Sequence, residues 1–307
     1  MNKQYKIVGI GEILWDMLPQ GKVLGGAPAN YAYHASELGA KGYVISAIGK
    51  DKSGDEIISQ LAAYDIELRL CRVDYPTGIV KVKLSGEGIP DYEIIKNVAW
   101  DYITLIPSDI MLAQETDAVC FGSLAQRNEV SRKSINEFIL NVPDKSLKLL
   151  DINLRQNFYN KKLIEDSIKL ANILKINDEE LIIVSELFGW TGNDENFCKK
   201  LMETFHLDVL ALTCGTKGSY LFKGKEKSYM ETPIVEVKDT IGAGDSFTAG
   251  LTMGLLKNKS LIECHSLAVM ISAYVCTHFG AMPAYTEYYN GSFNPKLKGT
   301  SENPDNY

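Results

Sequence analysis

Short apolar runs alternate with helix-like segments along most of the chain. YKIVGIGEI, an apolar run interrupted by glycines, is typical of a buried strand, and GYVISAIG predicts a second strand. Between them, GGAPANYAYHASELGA predicts a helix, because Pro28 suits a first helical turn and Gly39 suits a helix end. This alternation predicts a parallel sheet with helices covering its faces.

The same alternation resumes after residue 102. The further predicted strands are TDAVCFG, SLKLLDIN, NILKIN, DVLALTCG and GSYLFKG. The further predicted helices are DKSGDEIISQLAAYDI, NEVSRKSINEFIL, KKLIEDSIKLA, DEELIIVSELFG, DENFCKKLMETF, GDSFTAGLTMGLLKN and SLIECHSLAVMISAYVCTHFG. Since the chain shows no internal repeat and no long linker, we expect one domain over residues 1–307 with a polar tail at 286–307.

Residues 73–102 follow a different pattern. Alternating strands flank a Ser-Gly-Glu-Gly turn at residues 85–88, which predicts a β-hairpin with one apolar and one polar face. A hairpin inserted among strands and helices indicates a small β-lid, which we expect to include residues 14–24. Because an isolated hairpin is marginally stable and exposes its edges, we expect two lids to pair in a homodimer.

Composition narrows the functional classes. The 307 residues carry a formal net charge of -7, which argues against binding to bulk nucleic acid or to an anionic membrane. The amino-terminal apolar run is too short for a signal peptide or a membrane helix, so we expect a cytoplasmic protein whose six cysteines are reduced. The four histidines share no metal-ligand spacing, so a zinc site is not expected.

The segment KDTIGAGDSFTAG, residues 238–250, is the strongest chemical signal. Gly242 and Gly244 leave backbone N–H groups unobstructed at a predicted helix start, which favours binding of a phosphoryl group. Asp245 follows directly and would accept the proton of a substrate hydroxyl. We expect the helix terminus to lower the pKa of this carboxyl group, which phosphoryl transfer tolerates. The alternative is an ordinary turn in which Asp245 only caps the helix.

Two motifs together resemble those of the ribokinase-like sugar kinases, the PfkB family. DTIGAGDSF matches the carboxy-terminal motif of that family, and the amino-terminal motif is matched by Gly25, Gly26, Pro28, Asn30, Gly39 and Gly49. The resemblance implies a three-layer α/β/α fold with a mainly parallel central sheet and a small β-lid. It also implies Mg²⁺-dependent phosphoryl transfer from ATP to a sugar, with Gly242, Ala243 and Gly244 around the phosphoryl group and Asp245 as the base.

The resemblance further implies where the sugar binds. Asp16 matches an aspartate that holds sugar hydroxyls, and Gly26 and Asn30 match positions whose backbone and amide touch the sugar. Arg155, in DINLR, would bind the γ-phosphate or a substrate oxygen through its planar guanidinium. The structural alternatives are a loop or cap residue for Asp16, a satisfied buried amide for Asn30 and a surface cation for Arg155.

Other positions resemble the nucleotide and cation sites of the family. Asn177 and Glu180, in NDEE, match residues that hold Mg²⁺ mostly through water, although they would also cap a helix. TCGTKGS resembles the nucleotide loop, although a hairpin turn would look the same, and the implied nucleotide-binding residues are Asn177, Thr213, Gly215, Lys217 and Gly218. Asp239 and the Ile241 carbonyl match a K⁺ loop of some relatives, but the partner segment CTHFGAMP departs from it.

Fructose is the expected substrate, because GEILWDMLP, AWD at residues 99–101 and DINLR are most similar to segments of bacterial fructokinases. Ribokinases, adenosine kinases and 2-keto-3-deoxygluconate kinases are the nearest alternatives. Trp15, Tyr92 and Trp100 either surround the sugar or pack in the lid and core. A non-catalytic sugar or nucleotide sensor and a dinucleotide-dependent oxidoreductase are alternatives of other classes. Asp245 argues against the sensor, and the lack of a GxGxxG motif argues against the oxidoreductase.

Overall fold

The computed structural model describes residues 3–18, 21–84 and 90–295, with only the backbone described at 82–84 and 90–92. The strands are β1 (Lys6–Ile10), β2 (Leu14–Leu18), β3 (Gly21–Gly25), β4 (Lys41–Gly49), β5 (Ile66–Val73), β6 (Gly78–Leu84), β7 (Pro90–Ile94), β8 (Ala118–Phe121), β9 (Leu147–Asp151), β10 (Ile173–Asn177), β11 (Val209–Thr213), β12 (Ser219–Lys223) and β13 (Glu226–Met230). The helices are α1 (Ala27–Glu37), α2 (Lys52–Leu61), α3 (Pro107–Glu115), α4 (Glu129–Asn141), α5 (Lys161–Lys169), α6 (Asp178–Phe188), α7 (Asp194–Phe205), α8 (Ala243–Leu256), α9 (Leu261–Cys276) and α10 (Thr286–Tyr289). The predicted turn at 85–88 and the tail from residue 296 lie outside the described residues.

The larger sheet has the strand order β13-β12-β11-β10-β9-β8-β1-β4-β5 in the part of the chain that the structure describes. The strands from β11 to β5 in this order run parallel to one another. Strands β12 and β13 extend one edge in antiparallel pairs. The sheet is therefore mainly parallel, as the alternation of strands and helices predicts.

Successive residues of the central strands face opposite cores. In β1, Val8 packs in the core shared with α3–α7, whereas Ile7 packs in the core shared with α1, α8 and α9. In β9, Leu150 packs in the first of these cores and Leu149 in the second. Because helices cover both faces, these strands have no polar face and appear in the sequence as continuous apolar runs.

The smaller sheet has the strand order β3-β2-β6-β7 and lies within the segments expected to form the lid. Strand β2 pairs antiparallel with β3 and parallel with β6, while β6 and β7 form the hairpin. At Gly78 a Cβ atom would lie 2.4 Å from Nε1 of Trp100, so a larger residue would not allow this close approach. The ends of the expected lid segment belong to the main body, because Val73 ends β5 and Trp100 is buried in the main core.

Three elements of the main body are missing from the sequence prediction, namely β5, β13 and α3. Both strands lie at edges of the larger sheet, and β5 has no fully buried residue. Charged residues therefore interrupt the apolar pattern of both strands, as is common at sheet edges. Helix α3 buries only Asp109, Leu112 and Ala113, which leaves too short an apolar stripe to predict a helix.

Helices α8 and α9 pack closely and fix the start of α8 over the sheet. Cβ atoms at Gly250 and Gly254 would lie 2.8 Å and 2.9 Å from the Cα atoms of Ala268 and Cys264. Further along α9, the hydroxyl of Ser272 donates a 2.9 Å hydrogen bond to the carbonyl of Ala243. The glycines thus allow the helix contact that holds the first residue of α8 in place.

Two further findings concern the whole described chain. All six cysteines are free thiols. Across residues 3–18, 21–84 and 90–295, no helix combines the length and the apolar character needed to cross a bilayer.

Candidate active site

The candidate site lies at the carboxyl edge of the parallel strands. Asp151 ends β9, Asn177 ends β10 and Thr213 ends β11. Glu12 follows β1 closely and Gly122 directly follows β8. In open α/β sheets this edge is the usual place for ligands, and the start of α8 lies against it.

The glycine loop, residues 242–244, has the geometry of an anion site. Gly242 has a φ of 78°, and a Cβ atom there would lie 2.8 Å from the carbonyl oxygen of Ala281, so the position requires glycine. The amide of Ser246 donates a 2.9 Å hydrogen bond to the carbonyl of Gly242. The amides of Gly244 and Asp245 precede this bond and have no acceptor within the helix, which leaves them available to an anion.

Asp245 lies in the first turn of α8 and is tied to α1. Its Oδ2 accepts a 2.7 Å hydrogen bond from Nδ2 of Asn30. Burial and then the negative charge of Asp151 raise the pKa of Asp245 to about 6. The expectation that the helix terminus lowers this pKa is therefore wrong, because removal from water and a neighbouring carboxylate outweigh the helix dipole.

A buried ion pair lies beneath the glycine loop, and the sequence analysis did not identify it. Nζ of Lys175 lies 2.9 Å and 2.8 Å from the two carboxylate oxygens of Asp151. The hydroxyl of Thr248 lies 3.2 Å from Oδ2 of Asp151 and 3.0 Å from the carbonyl oxygen of Gly244, so its one proton is shared between these two acceptors. A Cβ atom on Gly244 would lie 3.2 Å from Nζ of Lys175, so the ammonium group reaches the loop itself. The available signal was a lysine inside the apolar run NILKIN.

Glu12 is a second residue that the sequence analysis missed. Its side chain is buried, and Oε2 has no hydrogen-bond partner. Burial, together with the negative charge of Asp245, raises the pKa of Glu12 to about 7. The available signal was a glutamate two residues after a buried strand, where a charged side chain needs a partner or a function.

Of the residues implied for sugar binding, Asn30 contacts Asp245, and the charge of Arg155 acts on both Asp16 and Asp245. Asp16 lies on β2, where burial raises its pKa and the positive charge of Arg155 opposes that rise. Gly26 precedes α1 with a φ of 129°, and a Cβ atom there would lie 2.6 Å from the Glu12 carbonyl oxygen.

A cavity of about 640 Å³ lies on the other side of the glycine loop. Its volume falls in the range of small-molecule sites, which is about 300–1,000 Å³. Four of the five residues implied for nucleotide binding line it, namely Asn177, Thr213, Gly215 and Gly218. Lys217 does not line this cavity, and its Nζ lies 3.4 Å from Oδ2 of Asp178.

The remaining walls of this cavity were not identified from the sequence. They come from the segment between β13 and the glycine loop and from α9, and include Thr232, Pro233, Ile234, Val235, Val237, Val269, Ala273 and Cys276. The available signal was ETPIVEV, an apolar stretch that forms no helix or long strand. Such a stretch is unusual in a loop unless it covers a ligand or a core.

Asn177 and Glu180 form a reciprocal cap at the start of α6. Oδ1 of Asn177 accepts from the amide of Glu180 at 2.7 Å, and Oε2 of Glu180 accepts from the amide of Asn177 at 3.0 Å. Oε1 of Glu180 accepts from the amide of Leu154 at 2.9 Å. The side chain implied for Mg²⁺ thus has both oxygens on backbone amides, and it would reach a metal through water.

The oxygen donors near the cavity fit Mg²⁺ held largely by phosphates and water. Asp178 and Glu179 line the cavity beside Asn177. Among the described residues there is no cluster of three or more His, Cys, Asp or Glu side chains that could hold a metal alone. Mg²⁺ normally takes one or two carboxylates plus substrate phosphates, so this donor set suits it.

Asp239, the residue implied for a monovalent cation, anchors the glycine loop. Its Oδ1 accepts from the amides of Thr240 and Ile241 at 2.7 Å and 3.0 Å. Its Oδ2 accepts from the amide of Gly280 at 3.0 Å. These bonds join the loop to the segment after α9. They give both carboxylate oxygens of Asp239 hydrogen-bond donors, so its position does not require a bound cation.

The aromatic residues considered for the sugar site are mostly structural. Trp15 is 3% exposed, and its Nε1 donates a 3.0 Å hydrogen bond to the carbonyl of Ser53. Trp100 is fully buried, with the guanidinium of Arg127 stacked 3.9 Å from the ring centroid. The side chain of Tyr92 lies outside the described residues.

Comparison with known proteins decides the family. The model of the pfkB family carbohydrate kinases matches residues 19–287. The chain belongs to the pfkB family of carbohydrate kinases. This confirms both the resemblance and the predicted fold class, and it makes the chain a phosphotransferase that acts on a sugar hydroxyl.

Relatives of this pfkB-family kinase differ in the sugar they act on. The uncharacterized sugar kinase PH1459 of Pyrococcus horikoshii is 33% identical over 274 residues, which cover 83% of this chain and 84% of that protein. Its crystal structure in complex with ATP has a TM-score of 0.77 at 30% identity and covers 90% of this chain and 94% of that chain. An ATP-dependent 6-phosphofructokinase of Thermoanaerobacterium thermosaccharolyticum is 28% identical over 307 residues (92% of this chain, 91% of that protein). A fructokinase of Escherichia coli is 25% identical over 298 residues (91% and 95%).

Proposed function

We propose that this kinase transfers the γ-phosphoryl group of ATP to a hydroxyl of a small sugar, with fructose as the first candidate and Asp245 as the base. The observation that carries the proposal is that neighbouring residues of one helix start face different parts of the site. Ala243 and Gly244 line the cavity of about 640 Å³, whereas Asp245 does not line that cavity and its carboxylate contacts Asn30 of α1. A phosphoryl group at the loop would thus lie between a nucleotide in the cavity and a sugar hydroxyl at Asp245.

Asp245 is suited to accept the proton of the sugar hydroxyl. With a pKa of about 6 it is mostly ionised at pH 7, and it is a stronger base than an ordinary aspartate. The hydroxyl oxygen would form a bond to the γ-phosphorus while the bond to the oxygen bridging the β- and γ-phosphates breaks. The proton would pass to Asp245, ADP would leave, and the free amides of Gly244 and Asp245 would stabilise the charge of the transferred group.

ATP would occupy the larger cavity with its phosphates toward the glycine loop. Asn177, Asp178 and Glu179 would support Mg²⁺ through water, and Glu180 would hold that helix start in place. When bound, Mg²⁺ neutralises phosphate charge. Asp239 would hold the glycine loop in position whether or not K⁺ binds beside it.

Fructose remains the first candidate because of the segments similar to bacterial fructokinases. Asp16, Asn30 and Arg155 would contact its hydroxyls, since Asn30 bonds to Asp245 and the charge of Arg155 acts on both Asp245 and Asp16. Ribose and 2-keto-3-deoxygluconate are the alternatives from the sequence, and fructose 6-phosphate enters as the substrate in the name of one relative.

The test is ADP release with ATP and Mg²⁺ over a panel of these four sugars, with Asp245→Asn as the control. We expect fructose to give the highest kcat/KM. The substitution should lower kcat by about 10²–10⁴-fold and leave ATP affinity near its original value, because asparagine keeps the size of the side chain but removes the proton acceptor. A variant that keeps most of its kcat would exclude Asp245 as the base. Binding of sugar and ATP without any ADP release would favour the non-catalytic sensor.

We also propose that two copies pair through the smaller sheet. Strands β3 and β7 are its edges, and Met17 on β2 is 41% exposed. Pairing would cover the unpaired edges and this apolar side chain. Sedimentation at micromolar concentration should show a dimer that Met17→Lys weakens. Met111→Lys on α3, where the methionine is 65% exposed, is the matched control and should leave the dimer intact. A monomeric wild-type protein would contradict the proposal.

A further inference from the structure

The Asp151–Lys175 ion pair joins three elements directly beneath the glycine loop. Asp151 ends β9, Lys175 lies in β10, and the hydroxyl of Thr248 in α8 lies 3.2 Å from the carboxylate. Thr248 lies three residues after Asp245 on α8, so the two side chains share a helix face. A displacement of the ion pair would therefore move the helix start that carries the base.

A contribution to stability alone does not explain why this ion pair is buried here. Both side chains are about nine-tenths buried, at 9% and 7% exposure for Lys175 and Asp151. Replacing a buried ion pair by apolar residues of similar volume is often neutral or stabilising. The pair also lies against Gly244, where a Cβ atom would approach Nζ of Lys175 to 3.2 Å. Its place under the loop therefore points to a role in the reaction.

We propose that Asp151 and Lys175 are positioning residues for the reaction, which hold Asp245 and the glycine loop together and set the charge that Asp245 experiences. This inference rests on the proposed role of Asp245 as the base. Asp151 supplies a negative charge that acts on the base, and the positive charge of Lys175 opposes it. The balance keeps Asp245 a stronger base than an exposed aspartate while it is still ionised at neutral pH.

Several charged or titratable groups face Asp245 from the surrounding elements. They are Glu12 after β1, Cys120 in β8, Asp151 in β9, Arg155 after β9 and Lys175 in β10. Of these, Asp151 makes the largest charge contribution to the raised pKa of Asp245, and Lys175 and Arg155 oppose it. Asn30 of α1 opposes it as well, through its hydrogen bond.

Two single substitutions should therefore shift the pH dependence in opposite directions. Asp151→Asn removes the neighbouring negative charge, so Asp245 should ionise at lower pH. Lys175→Met leaves Asp151 without its cation, so the two carboxyl groups compete for one proton and ionisation should require higher pH. Each shift should be about one pH unit, and the double variant should lie between the single variants. A merely structural role would not produce shifts of opposite sign.

The acid limb of kcat/KM against pH measures this shift in the active enzyme, because it reports ionisation in the free enzyme. Carbon-13 NMR of labelled aspartate carboxyl groups measures it in the unliganded protein, with Asp245→Asn assigning the signal. Asp101→Asn is the matched control, since Asp101 is buried and paired with Arg127 away from the glycine loop. It should lower the melting temperature without moving the acid limb.

Opposite shifts in the two single variants support the proposal, and shifts below about 0.2 pH units or of the same sign overturn it. If one single variant does not fold, the pH shift of the other is compared with the wild type and with the double variant, and a shift of the wrong sign overturns the proposal. If no sugar of the panel is phosphorylated, the proposed function fails, while the NMR titration still decides the role of the ion pair. A normal kcat with only a raised sugar KM in both variants would also overturn it.

Discussion

The two sides of the glycine loop offer opposite environments to a reacting molecule. On one side lies an open cavity of about 640 Å³, with apolar walls such as Val237 and Val269. On the other lies a compact cluster of buried charge around Asp245 that leaves room for about one water molecule. Binding a nucleotide requires volume, whereas proton transfer requires charged groups held in fixed positions away from water. In the proposed mechanism one helix start serves both needs, because its free amides would bind an anion and its third residue, Asp245, would act as the base.

Substitution of Gly242 in the glycine loop should have the largest effect on stability and activity. Gly242→Ala should lower the free energy of unfolding by about 2–5 kcal/mol and remove most activity, because left-handed strain adds to a clash with the Ala281 carbonyl. Gly280→Ala is the matched control, since Gly280 has a φ of 79° but nothing within 4 Å of its Cβ position. It should cost about 1 kcal/mol. Urea unfolding measures both variants, and equal losses would show that the close approach at Gly242 does not matter.

The buried carboxylate of Asp245 should lower the free energy of unfolding at pH values where it is ionised. Because the folded protein holds Asp245 at a pKa of about 6, above its usual value of 3.8, stability falls as pH rises through this range. Asp245→Asn removes this penalty, so it should raise the free energy of unfolding by about 1–3 kcal/mol at pH 8 and by less at pH 5. Urea titrations at both pH values check this. A variant that is less stable than the wild type at pH 8 would show that the carboxylate stabilises the site.

On both sides of the glycine loop, sequence patterns indicated the residues at motif positions and missed the residues outside the motifs. GAGDSF indicated the glycine loop, and the glycines of TCGTKGS lie at the larger cavity, because these features need particular residue types at fixed spacing. Lys175 and Glu12 were missed, since each belongs to a strand or strand end whose apolar pattern predicts only burial. Their proximity to Asp245 follows from strand order, which single segments do not encode. The edge strands were missed for the related reason that half-buried strands lose the apolar signal.

The cap of α6, whose Asn177 lines the larger cavity, should affect Mg²⁺ binding more than sugar binding. Glu180→Gln keeps an acceptor for one backbone amide but removes the negative charge. We expect the Mg²⁺ concentration for half-maximal activity to rise several-fold, about 1 kcal/mol, with little change in the sugar KM. Glu186→Gln, an exposed position on the same helix, is the control. A raised sugar KM with an unchanged Mg²⁺ response would contradict the metal assignment.

Two buried threonines lie one turn apart on α8, and their substitution by valine should have small and different effects on kcat. Both hydroxyls donate to the carbonyl one turn back, Thr248 to Gly244 at 3.0 Å and Thr252 to Thr248 at 2.8 Å. Only Thr248 also reaches Asp151, at 3.2 Å, whereas the hydroxyl of Thr252 lies 3.2 Å from that of Tyr31. Thr248→Val should lower kcat by about fivefold, because it loosens the charged side of the loop. Thr252→Val should lower stability by about 1 kcal/mol without a comparable loss of kcat. Equal kcat losses would mean that α8 packing, rather than the bond to Asp151, sets the rate.

The hydrogen bond between Asn30 and Asp245 joins residues that are synthesised far apart in time, since they are 215 positions apart in the chain. Strands β1 to β11 can leave the ribosome and begin to pair before α8 exists, since domains start to fold from the amino terminus. Asp245, the amide of Asn30 and the glycine loop meet only when α8 packs against α1. A nascent or truncated chain that ends before α8 would therefore have most of the sheet but not the proposed catalytic centre, and we expect it to be unable to hydrolyse or transfer phosphate from ATP.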